Sequence, residues 1–224
     1  IMKLIIQIPC YNEAETLEIT LRDTASSLSV TLRYGVLPEL DIITRSVLFQ
    51  NNGTTPIVLQ KAASLCLDLP QGGSWDWIHF HGRHAMERLT ERTALMHGIQ
   101  ESSSTRGTSS HQQNPSVILC EPDCTENSGA CIGAFLLYSG SFQTQIEVDQ
   151  LRQTRLVMGL HPDLFQWTLQ PNDTFATPEA VLSYSSNGLA QLSHHFHQVI
   201  REHICRGTYQ LAERPILINS WEAA

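Results

Sequence analysis

The sequence predicts a mainly β protein: an antiparallel sandwich that leads into one helix and then a short strand of the buried kind. Three observations carry this prediction. Apolar and polar residues alternate with period two through much of the chain, as in strands with one buried face. Turn-forming clusters separate these runs at short intervals, as they do in sandwiches. Only once, near Ser185, does the apolar period lengthen to that of a helix.

The elements follow in order. Leu17, Ile19 and Leu21 alternate with Glu18, Thr20 and Arg22; Leu28, Val30, Leu32 and Tyr34 alternate with Ser29, Thr31 and Arg33. Asp23 to Ser27 between them is turn-forming, so the pair reads as a hairpin. Residues 43–49 form the next run, closed by Asn51-Asn52-Gly53, where a glycine after asparagine suits a turn that needs positive φ. Residues 57–69 follow, ending at Pro70 and Gly72-Gly73. Residues 101–114 are rich in Ser, Thr, Gly and Gln and lack an apolar period, which predicts a long loop. The β pattern returns at 117–120, 132–138, 144–148, 154–158 and 165–169, and a turn at Pro171-Asn172-Asp173 leads to Phe175. Leu189, Leu192, Phe196 and Val199 or Ile200 then share one helical face, with Gly207 as a stop signal, so the helix is expected over 188–206. Ile216, Leu217 and Ile218 after Arg214-Pro215 form an apolar run without alternation, which suits a strand buried on both faces. Such a strand cannot satisfy its own backbone alone. The expectation is a chain cut where a second domain starts, and Ile1 ahead of Met2 suggests a cut in front as well.

Composition narrows the function classes. The 224 residues are 42% hydrophobic and 16% charged, a globular balance. A net charge of -8 argues against nucleic acid or an anionic membrane surface as partner. No apolar run approaches the roughly 20 residues of a membrane span, and the cytoplasm is the expected compartment. Six cysteines are scattered along the chain; Cys120, Cys124 and Cys131 lie close enough to raise a metal site or, more simply, buried thiols.

Several blocks carry a family resemblance. Thr177-Pro178-Glu179-Ala180-Val181, Tyr184-Ser185, Gly188-Leu189, Phe196-His197, Arg206-Gly207 and the run from Arg214 to Ala223 resemble glycoside hydrolase family 36, the bacterial-type α-galactosidases. The loop Arg106 to Pro115, Tyr138-Ser139-Gly140 and Ile42 to Ser46 are similar to family signatures too, in the expected order, so the resemblance covers residues 15–224. The family usually has Asn where this chain has Ser220. The resemblance implies a β-supersandwich over 1–184 (partial, with 1–14 anomalous), a connector helix over 185–210 and the start of a (β/α)8 catalytic barrel at 211–224. It implies terminal α-galactosides as substrates of the intact enzyme, a homo-oligomer, and no metal or organic cofactor.

The resemblance also assigns site residues. Trp221 matches a tryptophan that walls the galactose subsite; an indole suits the apolar C–H face of a sugar. The alternative is a core residue at the barrel mouth. Both catalytic aspartates belong to later motifs, a Lys-Trp-Asp type and a Ser-Gly-Gly-Gly-Arg type, and neither occurs here. Glu222 is a neighbour of Trp221, and neighbours on a strand point to opposite faces, so it is not assigned a catalytic role. The chain is therefore expected to carry no catalytic pair and to be inactive alone. Arg106 and His111 mark the loop expected to reach a neighbouring domain or subunit, the alternative being a self-packed surface loop. His79, His81 and His84 form one dense cluster and His194, His195 and His197 another; His197, one residue past Phe196, is expected to flank the buried face, as a hydrogen-bonded interface histidine or for acid/base work; Arg83, Glu87, Arg88 and Arg92 are expected in a polar network or subunit contact. Two other readings compete. Residues 5–14 resemble the opening of a family-2 glycosyltransferase, although no βαβ alternation and no Asp-x-Asp follows. The sandwich could also serve as a non-catalytic carbohydrate-binding or assembly module.

Overall fold

The computed structural model describes residues 3–7, 15–218 and 220. Sixteen strands and one helix follow in order: β1 (Lys3–Gln7), β2 (Glu15–Arg22), β3 (Leu28–Leu37), β4 (Ile42–Asn51), β5 (Ile57–Leu59), β6 (Ala63–Asp68), β7 (Asp76–Arg83), β8 (Met86–Ala94), β9 (Gly98–Ser104), β10 (Gln113–Cys120), β11 (Cys131–Leu136), β12 (Phe142–Val148), β13 (Thr154–Leu160), β14 (Trp167–Leu169), β15 (Thr174–Ala176), β16 (Ala180–Ser185) and α1 (Gly188–Val199). Ten strands form one large sheet in the order β1-β2-β3-β4-β16-β11-β10-β7-β8, with β15 beside β4. A second sheet runs β6-β13-β12-β9, and β14 pairs with β5.

The centre of the large sheet is covered on both faces, and strand periodicity decides which residue goes where. On one face Val117, Leu119, Ala134, Leu136, Ala180 and Leu182 pack against Leu65, Phe142, Ile146, Leu156 and Met158 of the smaller sheet. On the other face, Ile118, Cys120, Cys131, Phe135 and Val181 meet α1 through Leu189, Leu192, Phe196 and Val199. The helix buries Gly188, Leu192, His195 and Val199, the spacing of a single helical face.

Two glycines let the helix lie where it does. A Cβ at Gly133 would come within 2.5 Å of the Phe196 ring, so the helix approaches the sheet closely only because none is there. Gly188 opens the helix at φ 85°, and its Cβ would strike the backbone of Thr125, Glu126 and Ser128. Asn187 makes no side-chain cap. The carbonyls of Gly129, Thr125 and Glu126 instead accept from the N–H groups of Gly188, Leu189 and Ala190 at 3.0, 3.0 and 2.9 Å, supplying acceptors the first turn lacks.

The β2–β3 hairpin forms as the alternation predicts, its turn closed by the Asp23 carboxylate accepting from Ala25 and Ser26. Four expectations change. Residues 101–114 are not one loop: β9 pairs along its length with β12, and only 105–112 connects it to β10. Its inward side chains, Ser102 and Ser104, are buried by hydrogen bonding to Gln113 and Thr108, so no apolar period exists to be seen. Residues 57–69 split into β5 and β6 in different sheets. Gly53 does not take positive φ. It is there for room: its N–H donates to Asn51 Oδ1 at 2.9 Å, and a Cβ would come within 3.3 Å of that oxygen and of Ser27. Finally, β1 pairs antiparallel with β2 at the sheet edge, not in a βαβ unit, which gives the glycosyltransferase reading no support. Residues 8–14 of that motif lie outside the described residues.

After α1 the chain makes one wider π turn, Ile200–Ile204, which ends at an extended Cys205 rather than at the expected Gly207, although Gly207 does take φ 91°. Residues 213–218 join no ladder among the described residues, and Ile216, Leu217 and Ile218 are 94%, 87% and 88% exposed. No described helix is long and apolar enough to cross a membrane.

Candidate functional site

Of the sequence-assigned site residues, the structure describes Arg106 and His111. Trp221, the expected sugar platform, and its neighbour Glu222 lie outside the described residues. Arg106 and His111 sit on the 105–112 connection, and both are exposed. The backbone of this loop is pinned to the segment after β11: Gly107 N–H donates to Ser141 Oγ at 2.9 Å, Ser109 N–H to the Ser139 carbonyl at 2.8 Å, and Ser109 Oγ to the Tyr138 carbonyl at 3.3 Å. The side chains of Arg106 and His111 make no hydrogen bond among the described residues, so the loop presents them on a fixed base.

Around this base the tip of the β7–β8 hairpin closes in. Arg106 lines a polar cleft of about 380 Å³ with Gly82, Ser103, Ser104 and Gln112. Ala85 takes positive φ at the hairpin tip, and its N–H donates to Glu87 Oε1 at 2.8 Å. That bond holds the Glu87 carboxyl below its usual range, with a smaller contribution from the charges of His84 and His111. The end of α1 reaches the same region: His197 and Ile200 line a 300 Å³ groove with Asn114 and Pro115 at the start of β10. The assigned loop and the end of α1 therefore lie at one end of the sandwich.

Other titratable groups of the sheet make contacts within the fold. Arg92 donates to Asp76 Oδ2 at 2.7 Å and to the carbonyls of Cys124, Glu121 and Pro122 at 2.7, 3.0 and 2.9 Å, clamping β8 to the loop after β10. This is a network within one chain, the first of the two expected roles. Arg88 lies over the Phe80 ring at 5.1 Å. Cys120, Cys124 and Cys131 cluster between the sheet and α1. Burial raises the Cys120 thiol to about 11 and Cys131 to about 12, so both are protonated packing groups at neutral pH.

The interface histidine of the second cluster is not His197, which is turned to solvent, but the buried His195 two positions before it. Its Nδ1 lies 2.8 Å from Ser183 Oγ and its Nε2 3.7 Å from Asp41 Oδ2. The trio has the residue types of a nucleophilic triad but the wrong proton inventory. Ser183 Oγ donates its one hydrogen to the Asp41 carbonyl at 2.9 Å, so Nδ1–H must be the donor to Ser183. The histidine cannot take a proton from a serine that has already given it to the backbone. The group staples α1 to β16, and its signal in the sequence, a Ser and a His on facing elements, is too common to read.

His79 and His81 share a face of β7, and both Nε2 atoms lie 3.4 Å from Glu91 Oε2. Trp77 stacks on His79 with ring centroids 4.3 Å apart. Desolvation lowers the His79 pKa, against the pull of Glu91. His79 is therefore neutral at pH 7, and its contact with Glu91 is polar, not ionic.

Residues 5–170 match the Glycosyl hydrolase family 36 N-terminal domain, and residues 174–224 match Melibiase. The chain is 52% identical over 212 residues to the bifunctional alpha-galactosidase/sucrose kinase AgaSK of Mediterraneibacter gnavus, an alignment covering 95% of this chain and 23% of that protein. It is 45% identical over 211 residues to alpha-galactosidase AgaA of Geobacillus stearothermophilus, covering 94% of this chain and 29% of that one. The crystal structure of AgaA A355E D478A in complex with stachyose superposes with a TM-score of 0.90 at 41% identity, covering 99% of this chain and 32% of the other. The galactosidase domain of AgaSK superposes with a TM-score of 0.91 at 48% identity, covering 98% and 32%. The chain thus spans less than a third of the length of these relatives.

Proposed function

Because this chain belongs to glycosyl hydrolase family 36, we propose that it is the sandwich section of an α-galactosidase that hydrolyses terminal α-galactosides of the melibiose and raffinose type. The observation that carries this is the 52% identity to an α-galactosidase along 95% of the chain. In this reading residues 1–184 belong to a partial sandwich domain with 1–14 anomalous, 185–210 to the connector, helical over 188–204, and 211–224 to the start of a catalytic barrel, whose first strand is 214–221. The exposed Ile216–Ile218 run supports that last assignment, since three large apolar side chains in a row need a sheet to cover them.

Hydrolysis with retention needs two carboxyl groups roughly 5–5.5 Å apart, one as nucleophile and one as acid/base. Both are aspartates of later barrel strands in this reading. The chain contributes Trp221 as a wall of the galactose subsite, and the loop with Arg106 and His111 reaches a neighbouring domain or a second subunit of a homo-oligomer in the cytoplasm. No metal or organic cofactor is required. The fixed loop backbone with its outward side chains supports this use.

The test is a graft. A chimera in which residues 1–224 replace the matching section of the Geobacillus stearothermophilus enzyme should hydrolyse a chromogenic α-galactoside, and the chain alone should not. Turnover by the isolated chain, traced to the chain by its loss on denaturation, would overturn the claim that the reacting carboxyls lie elsewhere.

A further inference from the structure

The opposite end of the sandwich carries a second, larger cleft. It measures about 510 Å³ and lies between the 70–75 loop, the end of β8 and the β12–β13 hairpin. Pro122, just past the end of β10, lines it, whereas the Arg106 loop enters at the start of that strand. Eight residues of strand at about 3.3 Å each put the two ends roughly 25 Å apart.

This cleft is preformed. Gln71 Nε2 donates to the Leu151 carbonyl at 3.0 Å, Gly72 N–H to the Arg152 carbonyl at 3.4 Å, and Gln153 Nε2 to the Leu69 carbonyl. Its two rims are thus tied to each other. Trp75 and Leu95 give it an apolar wall, and Asp149, Gln150, Arg152 and His97 give it a polar one.

The polar wall is balanced in sign and in hydrogen-bond type. Asp76 is already neutralised by Arg92, which leaves one carboxylate, Asp149, and one guanidinium, Arg152. Asp149 Oδ1 accepts from the N–H groups of Leu151 and Gln153, both at 2.8 Å, and its Oδ2 makes no bond among the described residues. His97 Nδ1 lies 2.9 Å from the Val148 carbonyl, which makes Nδ1 the donor and leaves Nε2 an acceptor. The Arg152 guanidinium and the Gln150 amide make no bond among the described residues either. Acceptors and donors therefore face one space. An anion would call for donors alone and a cation for acceptors alone; a hydroxyl uses both. Arg152 holds this place at φ 60°, a conformation that glycine or asparagine adopts more easily.

An apolar indole wall opposite mixed donors and acceptors, with no net charge, describes the surface of a neutral sugar. We propose that this cleft is a second saccharide-binding site, for a neutral oligosaccharide of two or three rings. It goes beyond the proposed hydrolysis and does not depend on it.

The test uses the 224-residue chain, titrated with raffinose, galactose and inorganic phosphate by calorimetry and tryptophan fluorescence. Raffinose should bind saturably with a Kd of about 1–10 mM, and phosphate should not bind. Gln150→Ala and Arg152→Gly should each weaken raffinose binding by about tenfold or more. Glycine suits the φ at 152, so that variant should melt at or above the parent temperature. Leu89→Ala, on the exposed stretch of β8 outside the cleft, should leave raffinose binding unchanged. No saturation with raffinose below about 50 mM, unchanged binding in both cleft variants, loss of binding in Leu89→Ala, or tighter binding of phosphate would each overturn the proposal. Failure of the graft described above would leave these readouts untouched.

Discussion

The large sheet has a centre and two margins, and they are built on opposite terms. In β11 and β16 nearly every residue is buried or half-buried, because the second sheet lies on one face and α1 on the other. In β8, at the margin, all nine residues are exposed, and in β3 only Ser29 is fully buried. The centre earns its place by excluding water. The margin is held by its ladder to β7 and by the Arg92 clamp, and it leaves its side chains to solvent. Burial is therefore concentrated in the central strands of the sheet and exposure in its margin.

Substitutions can break that contrast, in falling order of effect. Phe142→Ala empties a site with no exposure in the core between the sheets, and should cost about 3–5 kcal/mol in urea or thermal melts. Gly133→Val drives a side chain into Phe196, and should cost about 1–3 kcal/mol by lifting α1. Loss of helical circular dichroism before the β signal would show that the damage is local to the helix. His79 should give a pH effect smaller than either. Its folded pKa lies below the model-peptide value of 6.5, so the unfolded chain takes up the proton first as pH falls. Its contribution is complete above pH 6.5 and declines below it, and His79→Gln should flatten that part of the stability profile. Leu89→Ala at the margin should change stability by less than about 0.5 kcal/mol. A large loss there would mean that β8 is covered by something in solution, and the contrast would fail.

The same division explains what was legible in the sequence. The helix was readable because Leu189, Leu192, Phe196 and Val199 form a stripe that must be buried. Its start was readable as well, although its cap was not, since the capping carbonyls come from a loop 59 to 63 residues earlier. The β2–β3 hairpin alternates and was clear. The strand β8, Met86–Ala94, was not, because a strand exposed on both faces has no alternation to show. The strand β9 was hidden by chemistry: its inward residues are serines whose burial is satisfied by hydrogen bonds. At the site, the 105–112 loop was marked by composition, and its meeting with Gly82 of the β7–β8 hairpin in one cleft was not. That meeting depends on where a hairpin tip lands, and no local pattern encodes it. The cleft at the far end was invisible for the same reason, since its walls come from four separate connections.

One consequence follows from the way α1 begins. Three loop carbonyls grip its first turn, and Phe196 over the bare Gly133 fixes it again midway. The helix is a short pointer with two bearings. Its 12 residues span about 18 Å, so a tilt of about 10° at the bearings would move its far end by about 3 Å. Misplacement by about 1 Å can cost an enzyme about a hundredfold in rate. In the proposed enzyme the sandwich is then an alignment jig: residues such as Gly133 and Gly188, which touch no substrate, set the heading from which the catalytic barrel is laid down.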